Sequence, residues 1–324
     1  MEFSSMNNLG KNMLVAFVSL FLFMGLFSYV TTLRRTQEIR TPLIPLSRDT
    51  DIEEYKTPAP TEVPETPSIK KRTQVQAPAY NTYAIDSLST IIEEADYNLE
   101  SKNSDWWVNS GGYFFIENGI GKTVSGKLSP TNSWRLKYNA SSPLDTDNGY
   151  HPQNIFRLIS QSSWTNFEQS MYFRVTADNI SPSPNRAAHN GVLFLNRYKD
   201  SNNLYYTGIR VDGQAVIKKK LKGTYYTLAL SSLFPGIYER SSNPNLIPKN
   251  TWIGIKTLIF DNSDGTVHIH LYTDINRTGS WTLIAKAIDD GTLGAPLYGE
   301  HAHAGIRTDF MDVEFDEYLI EKRN

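Results

Sequence analysis

A chain that reads NGVLFLNRYKDSNNLYYTGIRVDGQAVIKKKLKGTYYTLAL over residues 190–230 has few ways to fold. Four short runs rich in β-branched and aromatic residues are separated by a polar Lys-Asp-Ser-Asn-Asn stretch, by Asp212-Gly213 and by Leu221-Lys222-Gly223. Such runs favour the pleated strand, and Gly, Asp and Asn favour the turns between them. The segment reads as an antiparallel meander. Asp-Gly suits a two-residue type I′ turn, which needs positive φ at both central positions. That turn pairs Val211 with Gln214, Arg210 with Ala215, Gly208 with Ile217 and Tyr206 with Lys219. Side chains alternate between faces along a strand. The register therefore puts Tyr206, Arg210 and Lys219 on one face, and Tyr205, Ile209, Lys218 and Lys220 on the other. Both faces mix apolar and charged residues, so periodicity does not identify the core side.

The β pattern continues around the meander. From residue 105 onward, runs such as GYFFIE, WRLKYNA, NIFRLIS, EQSMYFRVTA, WIGIKTLIF, TVHIHLYT, WTLIAKAID and DVEFDEYLI alternate with Gly, Asn, Asp, Ser and Pro. Many short strands without intervening helices indicate an all-β antiparallel sandwich or jelly roll. The span 101–324 is within the range of one such domain. Residues 81–100 precede it. Within them, DSLSTIIEEADYNLE (86–100) places Leu88, Ile91, Ile92, Ala95 and Leu99 on one helical stripe, and Thr90 with Glu93 matches a capping box. An amphipathic helix packed on the sandwich is expected there.

The N-terminal part has a different character. After a short polar stretch (1–12), residues 13–30 read MLVAFVSLFLFMGLFSYV, apolar and uncharged. The run is long enough to span a bilayer, and no small-residue cleavage pattern follows it. A single-pass transmembrane signal-anchor is expected. Arg34, Arg35 and Arg40 outnumber Lys11, and the positive-inside rule taken alone keeps the C-terminal side cytoplasmic. The resemblance given below points the other way, to an extracytoplasmic head. Residues 31–80 are Pro-rich, with Thr, Glu, Lys and Gln between the prolines. They cannot bury enough apolar surface to offset ordering entropy and are expected to form a disordered stalk. The chain has no cysteine, which removes disulfides, thiolate metal sites and cysteine nucleophiles. Its net charge of −2 provides no basic field for nucleic acid.

Three stretches, GVLFLNRYKDSNNLYYTGIRVDG, WIGIKTLIFDNSDGTVHIHLY and the closing AGIRTDFMDVEFDEYLI, resemble the concanavalin A-like lectin/glucanase superfamily, especially its laminin-G-like jelly rolls. The resemblance runs from residue 105 to the C-terminus. It implies a fold shared by lectins, glycosidases, polysaccharide lyases and adhesion modules, and a fold of this kind does not choose among them. The expected function is a membrane-anchored, lectin-like carbohydrate-binding protein, without catalysis, whose partner is a polysaccharide or glycan of acidic type. The alternatives are a polysaccharide lyase or glycoside hydrolase on the same fold, and a laminin-G-like protein-binding adhesion module.

Tyr206, Arg210 and Lys219 are the candidate ligand-binding residues, with Arg197 of the preceding strand. A tyrosine ring can stack on sugar C–H groups. An arginine fork fits a carboxylate or sulfate in two-point contact, and a lysine adds a point charge. The resemblance also draws attention to Asp312, Glu314 and Asp316 on the last strand, since glucanases carry alternating carboxylates, though in a Glu-x-Asp-x-x-Glu pattern on a central strand. The Gln-x-His strand of alginate-lyase-like jelly rolls is not evident. His268-x-His270 and His301-x-His303 are weak metal candidates. No cofactor is expected apart from calcium, for which DTDNG (145–149) and DNSDG (261–265) are partial loops that also make good turns without an ion. Asn139, Asn179 and Asn276 head formal glycosylation sequons and decide nothing.

Overall fold

The computed structural model describes residues 90–323, which fold as an antiparallel two-sheet β-sandwich. The expected anchor at 13–30 and stalk at 31–80 lie outside the described residues. Among the described residues no helix is long and apolar enough to cross a membrane. In chain order the strands are β1 (Thr90–Glu93), β2 (Trp106–Ser110), β3 (Tyr113–Glu117), β4 (Ile120–Lys122), β5 (Ile155–Trp164), β6 (Phe167–Asp178), β7 (Gly191–Asp200), β8 (Asn203–Arg210), β9 (Gln214–Leu221), β10 (Thr224–Ser232), β11 (Ile253–Asp261), β12 (Val267–Ile275), β13 (Thr282–Asp289), β14 (Ala302–Asp309) and β15 (Met311–Lys322). One sheet has eight strands in the order β1-β3-β4-β15-β6-β11-β12-β13. The other has seven, β10-β9-β8-β7-β14-β5-β2. The expected meander is β7 to β10, and it forms one side of the seven-stranded sheet.

The core lies between the sheets. Phe114, Phe156 and Phe315 pack with ring centroids 5.8–6.2 Å apart, and Tyr318 contacts Trp106 and Phe194. A Cβ on Gly121 would sit 2.1 Å from the Phe114 ring, so this strand position has to be glycine. A buried polar seam crosses the core as well. Tyr318 Oη donates to Gln169 Oε1 (2.7 Å), Gln169 Nε2 to Asn196 Oδ1 (2.7 Å) and Asn196 Nδ2 to Thr207 Oγ1 (3.0 Å). Thr207 and Thr257 hydroxyls then meet at 2.6 Å. Each buried polar atom in the seam has a partner, as the low dielectric around it requires.

Two expectations about local structure fail, for identifiable reasons. No α-helix occurs within residues 90–100. Thr90–Glu93 is a strand paired antiparallel with β3, and residues 98–100 form a single 3₁₀ turn. Ile92 is 3% exposed and Ile91 54%, an alternation of period two, while Leu99 of the expected stripe is 92% exposed. The open edge of β3 supplied backbone partners that an isolated helix lacks, and two adjacent isoleucines suit a strand. Conversely, WRLKYNA forms helix α1 (Ser133–Ser141) rather than a strand. Asn132 caps it, its side-chain oxygen accepting from the N–H groups of Trp134 and Arg135.

Candidate functional site

The turn between β8 and β9 decides what the seven-stranded sheet presents. It has three residues, not two. The Gly213 N–H donates to the Arg210 carbonyl at 3.0 Å, closing a turn over Val211 and Asp212, and Gly213 follows with φ 79°. A Cβ there would lie 2.0 Å from the Phe234 carbonyl oxygen, so glycine is required twice over, by conformation and by space. The two-residue turn of the meander is at Lys222-Gly223, both at positive φ, where Leu221 pairs with Thr224. With one extra residue in the β8–β9 turn, Tyr206 pairs with Lys218 and Tyr205 with Lys219. A one-residue slip carries every side chain of the strand to the opposite face. Lys219 therefore does not join Tyr206 and Arg210.

Lys219 points into the sandwich and is fully buried. Its ammonium lies 2.8 Å from Asp289 and donates to the carbonyls of Gly294 (2.6 Å) and Ala295 (3.3 Å). Tyr205 Oη donates to the same carboxylate at 2.6 Å. Arg197 is also fully buried, at φ 49°, where the pairing of β7 and β8 is interrupted. Its guanidinium donates to Asp261 (2.6 Å) and to the carbonyls of Leu297 (2.6 Å) and Thr165 (3.1 Å). Both cations hold the loop between β13 and β14 to the sandwich. Both are fully buried with their donors engaged by the protein, so they leave the candidate site.

What remains is the face of the seven-stranded sheet turned away from the other sheet. Tyr206 and Arg210 are on it, as expected, and Lys218 replaces Lys219. Two residues not foreseen from the sequence complete it. Arg307 of β14 donates to Tyr206 Oη at 3.4 Å, and Tyr225 of β10 packs against Tyr206 with ring centroids 6.1 Å apart. Tyr206 is buried, but Tyr225 is 50% exposed and offers its ring to solvent. Beneath these side chains Leu193, Leu195, Leu204 and Val216 form a small apolar floor. Gly208 stands in the row from Arg307 through Leu193 to Val216.

A signal for Arg307 was present in the sequence. GIRVD (208–212) and GIRTD (305–309) are near-repeats. In both, isoleucine points to the core and arginine outward, and the arginine pairs with the aspartate two residues on. Arg210 meets Asp212 at 2.5 Å and Arg307 meets Asp309 at 2.8 Å. Tyr225 lay within a Tyr-Tyr pair, and only the register shows which ring faces out.

Lys218 differs from its neighbours. Its ammonium lies 5.0 Å from the Tyr206 ring centre and 5.3 Å from that of Tyr225, and it has no carboxylate within ion-pair distance among the described residues. Burial, and next the nearby Arg307, push it down to about 8. Burial raises Tyr206 to about 12, against the pull of Arg307. Tyr225 moves the opposite way. Burial opposes its ionisation, but Arg307 and Lys220 outweigh that and draw the phenol below its usual value. The face is thus a cation-rich surface with one exposed ring.

The other candidate residues are not brought together. His268 and His270 lie on β12 of the eight-stranded sheet, packed on Phe260, whereas His303 is on β14 of the other sheet and His301 just precedes it. Among the described residues no group of three or more His, Cys, Asp or Glu is arranged to hold a metal. Asp145 and Asp147 accept from Ser183, Asn185 and Ser181, and Asp261 is the partner of Arg197. Of the three carboxylates on β15, Glu314 pairs with Arg174 and Asp316 with Arg277. Asp312 is buried and accepts from Gln153 (2.8 Å), Asn179 (2.9 Å) and the Gly126 N–H (2.6 Å). Asn179 is therefore not a free sequon.

No protein-family model and no curated protein matches the chain. Solved structures with a distant likeness include the carbohydrate-binding module CBM66 from Bacillus subtilis, with a TM-score of 0.37 and 15% identity over 52% of this chain and 83% of that one. A protein of unknown function with a galectin-like fold from Bacillus subtilis scores 0.38 at 11% identity, covering 73% of this chain and 100% of that one. The GH43 protein BlXynB from Bacillus licheniformis scores 0.39 at 9% identity, covering 72% of this chain and 39% of that one. Likenesses of this size carry no argument about ligand or activity.

Proposed function

We propose that the chain is a carbohydrate-binding protein whose ligand lies across the outer face of the seven-stranded sheet. The observation that carries this is the exposed Tyr225 ring set beside a row of outward donors, Lys218, Arg307 and Lys220, on a rigid sheet. A flat aromatic surface covers the C–H face of a sugar ring, and fixed donors meet its oxygens. Binding of the full-length chain to an immobilised glycan array tests the reading. Tyr225→Ala and Arg307→Ala are each expected to weaken the selected ligand at least tenfold, the first with little change in melting temperature and the second with a lower one, because the buried Asp309 loses its partner. Unchanged binding by both variants, or no glycan bound at all, removes the proposal.

A second reading is supported by one feature. The Tyr225 phenol, held below its usual value beside Arg307 and Lys220, suits proton abstraction next to a neutralised uronate, as in β-elimination by a polysaccharide lyase. New ultraviolet absorbance from unsaturated products, on incubation with uronate polymers, would establish it. The membrane anchor at 13–30 belongs to the same proposal, with the binding head on the extracytoplasmic side. Carbonate extraction should leave the chain in the membrane fraction, and an N-terminus near Thr31 in mature protein would refute the anchor.

A further inference from the structure

We infer that Lys218 is the residue that makes this face select acidic sugars, by receiving, together with Arg307, the carboxylate or sulfate of one sugar unit beside the Tyr206 and Tyr225 rings. The inference rests on the carbohydrate-binding reading and adds to it the class of ligand and its dependence on pH.

The argument begins with charge compensation. Arg210 is paired with Asp212 and Arg307 with Asp309, while Lys220 meets the Tyr225 phenol. Lys218 sits among them with two tyrosine rings for neighbours and no carboxylate in contact among the described residues. An ammonium in such a place is held charged against its own desolvation and against like charges. An anionic group arriving from a ligand relieves both penalties, whereas a neutral sugar relieves neither.

Geometry places the partners. Tyr206 and Lys218 are directly paired across β8 and β9, and Leu193, paired with Gly208, is also paired with Arg307. A Cβ at Gly208 would lie 2.3 Å from the Val192 carbonyl oxygen and 3.2 Å from the Leu193 side chain, so this position has to be glycine. Lys218 from β9 and Arg307 from β14 converge on the Tyr206 ring, at 5.0 and 5.7 Å from its centre. Arginine supplies a planar fork to two acid oxygens and lysine a single directed charge.

The groups that act on Lys218 are known from each surrounding element. Arg307 and Asp309 come from β14, Arg210 from β8, Lys220 from its own strand, and His189 from the loop before β7. Tyr206 and Tyr225 complete its surroundings. The cations and burial outweigh Asp309, so Lys218 loses its proton near pH 8. Raising the pH through that region removes the Lys218 charge, and any phenolate at Tyr225 acts in the same direction by repelling an anion. His189, drawn down by burial and by Lys218, adds no charge in this range.

Three probes decide the matter with full-length chain: an oligogalacturonate, its methyl ester, and a sulfated galactan oligosaccharide. An acidic probe is expected to bind at least tenfold more tightly than the ester at pH 6.5 and to weaken at least tenfold by pH 9.5. Lys218→Met should lose the preference for the acid. Lys218→Arg should keep it while flattening the pH dependence, because guanidinium does not titrate in this range. Tyr225→Phe should keep the part of the pH dependence that Lys218 sets. Equal binding of acid and ester, or an acid-binding Lys218→Met, overturns this inference and leaves the carbohydrate-binding reading standing. Failure of every glycan in the array overturns both.

Discussion

Lys218 and Lys219 are neighbours with opposite physical situations. Lys219 is buried against Asp289 with every donor engaged, and removing it strands a carboxylate in the core. Lys219→Met should cost about 3–5 kcal/mol, the usual penalty for leaving one partner of a buried ion pair, and should lower the melting temperature sharply. Lys218→Met should cost nothing or raise it, because the folded state loses a poorly compensated charge. The pH dependence follows from the same fact. Folding lowers Lys218 from 10.5 to about 8, so between these values the unfolded chain binds the extra proton. Stability then rises with pH across that window. The melting temperature of the unsubstituted protein, measured relative to Lys218→Met, should therefore increase from pH 8 to pH 10. A difference that is flat or falling would show that Lys218 is not depressed. The sequence supplied both lysines but could not assign their faces, since KKK is the same in either register.

At the scale of an element, the β8–β9 hairpin shows how one residue decides a site. The meander, its four strands and the positions of its turns were legible, because β-branched runs and Gly-containing breaks are local signals. The turn length was not. Asp-Gly fits a two-residue turn, yet here Asp212 sits inside a three-residue turn whose Gly213 is packed on Phe234. Deleting Val211 would leave Asp212-Gly213 as a two-residue turn between Arg210 and Gln214, so Tyr206 would still pair with Lys218 and the lysines would keep their faces. The variant loses the buried Val211 side chain and its backbone bonds to Asn190 and Leu246, and should melt at a lower temperature by circular dichroism with Lys219 still protected; an unchanged melting temperature would contradict this account. The same limit applied to residues 90–93, where the free edge of β3 outweighed a helical stripe, and to α1, whose Asn132 cap outweighed a strand-like composition.

At the scale of the molecule, two sheets share one hydrophobic core crossed by the Tyr318–Gln169–Asn196–Thr207–Thr257 seam. A seam of this kind fixes how one sheet sits on the other, because each hydrogen bond has a single geometry. Gln169→Leu should leave the Tyr318 hydroxyl without its acceptor and the Asn196 side-chain oxygen without its donor, at about 1–3 kcal/mol for each buried group. Denaturant unfolding should register that loss as a lower midpoint with an unchanged slope. A midpoint unaltered by the substitution would show that the seam is neutral.

The sequence by itself determined the class of fold, the meander at 190–230, and that Tyr206 and Arg210 share one face. These depend on composition and on a two-residue alternation that the chain carries locally. It did not determine that Lys219 and Arg197 are structural, nor that Lys218, Tyr225 and Arg307 form the exposed face. Which face of a strand is buried depends on what packs against it, and which buried cation finds a carboxylate depends on residues far along the chain, such as Asp261 for Arg197 and Asp289 for Lys219. Only the packing of the second sheet and its loops supplies those partners, and so only the tertiary structure separates a cation that holds the fold from one left free for a ligand.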